Sequence, residues 1–162
     1  MTTTTLALDV IAIDPDRLQR MRDRGWDETG NPWTRRRAGG GEPLRCCLTR
    51  AAGGEPIVLI TYSPWTAPSS WAESGPVFVH HDVCAGWAAA GWPEGFRDSN
   101  SALQPFDIDG ARAYDHITFV RPGDDTGTAV RDLLAVEGVE LVHVRSATAQ
   151  CFTFAVRAAI SS

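Results

Sequence analysis

Apolar and polar positions along the chain alternate in short runs that glycine and proline interrupt. Residues 6–13 alternate weakly and are β-prone. Asp14 followed by Pro15 then marks a helix start, with an aspartate to cap it and a proline where the first-turn N–H needs no partner. The helix runs to about Arg24, with Leu18 and Met21 three apart on one face and Arg17, Arg20, Arg22 and Arg24 on the rest. Residues 25–43 change to Gly, Pro, Asn, Asp and Arg around Trp26 and Trp33, which reads as a long surface loop. Residues 44–48 read as a strand and Gly53-Gly54 as a turn. Residues 56–62, with Ile57, Val58, Leu59 and Ile60 in succession, read as a strand buried on both faces and paired with the first as a hairpin.

A Pro, Ser and Trp rich connection at residues 63–74 leads to Gly75-Pro76, and the β-prone run at 77–79 delivers His80, His81, Asp82 and Cys84 within five positions. A strand end is a rigid support, and the loop after it commonly displays functional side chains. Residues 103–108 are the next strand, turned at Asp109-Gly110 towards a hairpin partner at 114–120 that brings His116. Thr126 or Thr128 caps a second helix whose stripe is Val130, Leu133, Leu134 and Val136 and whose end is Gly138. Residues 139–145 and 151–157 are the last strands. The sum is an α+β fold, a mainly antiparallel sheet of six or seven strands with two helices, in a single domain.

Composition narrows the function classes. At 162 residues, 43% hydrophobic and 22% charged, the chain suits one soluble core, and no apolar run approaches the roughly 18 residues of a spanning helix. The first residues lack the basic and apolar regions of a secretory signal, so a cytoplasmic location is expected. A net charge of -5 argues against nucleic-acid and membrane partners. All 15 basic residues are arginine, so any bound anion meets a planar guanidinium and no lysine Schiff base can form. Arg35, Arg36 and Arg37 beside Gly39, Gly40 and Gly41 read as a solvated loop. No nucleotide-binding glycine motif follows a strand, and no cofactor is expected.

Four cysteines, Cys46, Cys47, Cys84 and Cys151, include no CxxC pair and read as reduced thiols. On a strand, Cys46 and Cys47 point to opposite faces, so at most one faces a given site. Leu44-Arg45-Cys46-Cys47-Leu48, Gly54-Glu55, residues 59–64, Glu73 to His80 with Cys84, and Val142-His143-Val144-Arg145 with Cys151 and Val156-Arg157 resemble a bacterial domain-of-unknown-function family, number 1203. The resemblance spans residues 44–157. It implies a small single-domain bacterial protein, supplies no reaction, and draws attention to Arg45, His80, His143 and Arg145.

The working expectation is metal-independent acid–base chemistry on an anionic small molecule by elimination, cyclisation or hydrolysis, as in a lyase or cyclase of specialised-metabolite biosynthesis. His80 and His143 would move protons, Arg45 and Arg145 would hold the anion, and Trp71 and Trp87 would wall the pocket. His81, Asp82, Cys84 and Cys151 are secondary candidates, the cysteines as nucleophiles. The alternatives are a non-catalytic ligand-binding module or a subunit completed by a protein partner or a second copy, and a zinc protein using His80, Cys84 and His143. In the acid–base scheme His80 and His143 must converge on one pocket.

Overall fold

The computed structural model of the chain describes residues 4–88, 90–98 and 100–160. The first strand, β1 (Leu8–Ile11), runs into helix α1 (Pro15–Arg24), where the Asp14 side chain accepts the Asp16 N–H at 2.9 Å and Pro15 opens the first turn. Gly25 closes α1 in the left-handed region at φ 84°, donating its N–H to Met21 O, and Leu18 and Met21 are the face it buries. The long 25–43 segment is ordered by Asp27. Its buried carboxylate accepts the N–H groups of Thr29, Asn31 and Thr61, tying the loop to the sheet before strand β2 (Arg36–Arg37).

The expected strand at 44–48 is not one. The chain makes the two-residue strands β3 (Pro43–Leu44) and β4 (Thr49–Arg50), and between them a single turn closes through Leu48 N–H to Leu44 O at 2.9 Å, with Leu48 at φ 57°. Nor does the expected hairpin of 44–48 with 56–62 form: strand β5 (Pro56–Tyr62) pairs antiparallel with β2 and with β6 (Gly75–His80), and β3 lies parallel to β6 through Leu44 and Phe78. One five-stranded sheet thus has the order β2-β5-β6-β3-β4. The other joins β1 to β7 (Ser101–Phe106), β8 (Thr118–Val120), β9 (Leu141–Ser146) and β10 (Phe152–Ala158) in the order β1-β10-β9-β7-β8.

The described residues therefore hold ten strands in two sheets, not six or seven in one, and α+β with mainly antiparallel pairing stands. The undercount comes from two-residue strands, too short to show an alternation. Residues 114–116 form a 3-10 turn instead of strand, and the second helix, α2 (Thr126–Leu134), is capped by the Asp125 side chain on the Thr128 N–H rather than by a threonine. One core lies between the sheets, where Tyr62, Val77 and Val79 meet Phe152 and Ala155. A second lies under α2, where Val130 and Leu133 meet Leu103, Val142, Val144 and Phe154. Among the described residues no helix is long and apolar enough to cross a membrane.

Candidate metal centre

Strand β6 alternates, with Val77 and Val79 buried, and delivers His80 half-buried at its end. Beside it the parallel ladder with β3 runs out. Arg45 N–H reaches Phe78 O at 3.0 Å, and the next donor on β6, the His80 N–H, is taken by Cys46 Sγ at 3.3 Å. Because residues 45–48 form a turn, successive side chains do not alternate between faces. The strand-based expectation that only one cysteine faces a site is corrected: both do. The His80 Nδ1 lies 3.4 Å from Cys46 Sγ and 3.6 Å from Cys47 Sγ, and the two sulfurs are 3.9 Å apart. Cys84, on the irregular segment after β6, completes a group whose four ligand atoms all lie within 4.8 Å of one another.

The electrostatics suit a cation. Glu55, behind the Gly53-Gly54 turn, places Oε1 2.6 Å from His80 Nε2, and its Oε2 accepts the Ala52 N–H at 2.9 Å. A carboxylate only accepts, so His80 carries its proton on Nε2 and presents the Nδ1 lone pair to the sulfurs. The Ala52 N–H first, then His80, hold the Glu55 carboxyl below the usual carboxylate range. Cys46 donates its proton to Cys47, and this bond together with burial pushes the Cys46 thiol up. The same bond, with help from the Thr49 hydroxyl 3.1 Å away, pulls Cys47 down to about 5.

The spacings among Cys46, Cys47 and His80 match three edges of a coordination tetrahedron. Metal–sulfur bonds of about 2.3 Å and a metal–nitrogen bond of about 2.0 Å give sulfur–sulfur edges of about 3.8 Å and sulfur–nitrogen edges of about 3.5 Å. The observed 3.9, 3.4 and 3.6 Å fall on those edges.

The other expected site residues go elsewhere. His81 turns to Asp82, with Nδ1 2.8 Å from Oδ1, and Asp82 lines the cleft in front of His80 and Cys84. His143 lies on the other sheet, boxed by Phe106, Phe152 and Trp65 at ring distances of 4.6, 5.2 and 5.5 Å. Burial first, then the charges of Arg145 and Arg112, press it down to about 3, so it is neutral and joins neither His80 nor the cysteines. Arg45 is buried. Its Nε donates to Phe152 O at 2.9 Å and its Nη1 to Pro43 O, a staple across the sheets, and burial lowers it to about 10. Arg145 donates to Glu73 and to Gln150 O and lines a separate cleft of about 210 Å³ with Tyr62 and Cys151. Trp87 packs into the core under α2, and Trp71 closes a local turn with its N–H on Ser69 Oγ, so neither walls the clefts around His80. His116 sits exposed in the 3-10 turn.

Of the expected residues, then, the structure brings together His80 and Cys84 and adds Cys46, Cys47 and Glu55, which the sequence reading did not select. The adjacent cysteine pair and the Gly-Gly-Glu turn were the available signals. A family model described as a protein of unknown function, DUF1203, matches residues 41–158. No curated protein and no solved structure matches the chain.

Proposed function

We propose a metal-binding function for this chain, which belongs to the DUF1203 family of proteins of unknown function: it holds one zinc ion through Cys46, Cys47, His80 and Cys84. The observation that carries the reading is the convergence of Cys46, Cys47, Cys84 and His80, whose ligand atoms all lie within 4.8 Å of one another, with Glu55 behind the imidazole. Three sulfurs and one nitrogen are soft donors in a geometry that favours zinc over the oxygen-seeking cations. Glu55 is the outer partner that fixes the tautomer of a metal-ligating histidine. The ion would clamp three pieces of chain that share few backbone bonds: the 45–48 turn, the end of β6, and the segment carrying Cys84. This reading replaces the metal-independent pairing of His80 with His143, whose side chains stand in different environments on different sheets.

Metal analysis of protein purified without chelator tests it, together with cobalt replacement. The expected result is one zinc per chain and, with cobalt, the intense near-ultraviolet absorption of thiolate–cobalt charge transfer, reduced by Cys46→Ser and by Cys47→Ser. A chain that carries no metal, takes up no cobalt and melts at the same temperature with and without chelator would refute it.

A further inference from the structure

The four ligands are not equally held. Cys46 accepts the His80 N–H, Cys47 lies against the Thr49 hydroxyl, and His80 is braced by Glu55. No hydrogen bond from a described residue reaches Cys84 Sγ, and residues 82–88 make no backbone–backbone hydrogen bond among the described residues; Arg22 holds the segment's start through the carbonyls of His81 and Asp82. Cys84 also stands between two clefts. One, of about 220 Å³, has Cys46, Leu18 and Arg22 in its wall, and the other, of about 340 Å³, has Glu55, Pro56, His80 and Asp82; both include Val83 and Cys84. Three ligands form a braced Cys2His set, and the fourth, half-buried like Cys47 and His80, lines both clefts on a weakly tied segment. Two cysteines and a histidine with an open fourth position is a ligand set of catalytic zinc.

The second cleft shares one wall residue with a basic one. Arg35, Arg36 and Arg37 line a depression of about 220 Å³ with Gly54 and Pro56, and Pro56 is common to it and to the cleft of His80 and Cys84. None of the three arginine side chains makes an ion pair or hydrogen bond to a described residue, whereas Arg17, Arg97, Arg112, Arg145 and Arg157 are each paired with a carboxylate. In a chain of net charge -5, three adjacent unpaired guanidinium groups beside a soft-metal centre are a local inversion of charge.

Resting on the zinc reading, we propose that the fourth coordination position is exchangeable, and that its incoming ligand is a small thiol carrying an anionic group. The thiol sulfur replaces Cys84 Sγ on the metal and the anion is held by Arg35, Arg36 and Arg37. The incoming thiol gives up its proton as it binds and the departing Cys84 thiolate takes one, so the donor set, the charge on the donor atoms and the proton count are conserved, and the added anion is the charge the arginines would meet. A thiol keeps the donor set of three sulfurs and one nitrogen that Cys46, Cys47, Cys84 and His80 provide, which is why a thiol is named as the occupant.

Cobalt-loaded protein tests this with mercaptoethanesulfonate and mercaptoethanol, two thiols of the same carbon skeleton that differ in the sulfonate. In Cys84→Ala, mercaptoethanesulfonate should restore the charge-transfer intensity of a third thiolate. It should do so at a concentration at least about tenfold lower than mercaptoethanol, the worth of one charge-assisted hydrogen bond. The preference should vanish in the Arg35→Ala, Arg36→Ala, Arg37→Ala triple variant. Loss of cobalt from Cys84→Ala, no added intensity with either thiol, equal affinities, or a preference that survives in the triple variant would each overturn the proposal while the zinc reading stands. Failure of the unmodified chain to bind cobalt would remove both.

Discussion

Replacing Glu55 by glutamine changes one atom and separates a metal centre from a chance cluster of thiols. Glu55 accepts on both sides, from His80 Nε2 at 2.6 Å and from the Ala52 N–H at 2.9 Å. Glutamine has one accepting oxygen. If it keeps Ala52, its NH2 faces His80 Nε2, the imidazole proton moves to Nδ1, and the nitrogen facing the sulfurs loses its lone pair. If it turns round, the Ala52 N–H meets another donor. Loss of such an outer partner lowers metal affinity by about 10- to 100-fold, or about 1.4–2.7 kcal/mol. Because bound metal stabilises the fold by an amount that follows its affinity, the loss appears in full in the metal-saturated protein. For a domain of this size that is a fall of about 3–11 °C in Tm. In chelator only the partly exposed Glu55–His80 pair is lost, worth at most about 1 kcal/mol. Thermal melts with zinc and with chelator measure the two differences. Equal losses in both conditions, or no loss with zinc, would refute the reasoning.

Three further outcomes are expected. Asp27 is buried, which raises its pKa, but N–H groups of Thr61, Asn31 and Thr29 and the Asn31 side chain outweigh that and hold it at about 2. Its folded pKa is depressed, so its contribution is present above the unfolded value and lost as pH falls from about 4 to about 2; Asp27→Asn should cost about 2–3 kcal/mol at neutral pH in denaturant melts and flatten that acid limb. His143 is likewise depressed, to about 3, so the fold loses stability below the ordinary histidine value of 6.5 as the unfolded chain takes up a proton. Between about pH 7 and about pH 5 this amounts to about 2 kcal/mol, which His143→Leu should abolish in chelator-treated protein; an unchanged pH slope would contradict the buried neutral imidazole. Gly110 has φ 80° and its missing Cβ would sit 3.0 Å from the Trp65 ring, so Gly110→Ala should destabilise by about 1–3 kcal/mol, and a neutral result in the same melts would count against that contact.

Local signals were enough for α1 and for the positions of β5, β6, β9 and β10 along the chain, though not for which strands pair, and for the cluster of His80, His81, Asp82 and Cys84 after β6. Caps, glycine stops and the β-prone run at 77–79 act within a few residues of where they are read, and so they can be read without the fold. Even the error at α2 was local: Asp125, one residue before the chosen threonine, was the better acceptor.

The identity of the site was of another kind. Cys46 and Cys47 sit on one side because residues 45–48 close a turn, and that turn exists because β3 leaves a parallel pairing with β6 after one residue pair, more than thirty positions away in sequence. Glu55 reaches His80 because β5 and β6 are in register, Ile57 opposite His80. His80 and His143 are the same side chain at the end of or within a strand, and nothing in their immediate neighbours distinguishes them. One meets two sulfurs and a carboxylate, the other three aromatic rings and two arginines. Residue type is written in the chain, whereas the field and the solvent around a side chain are sums over neighbours that only long-range pairing assembles. The sequence by itself determined where the reactive groups lie along the chain, and the tertiary structure decided which of them share a site.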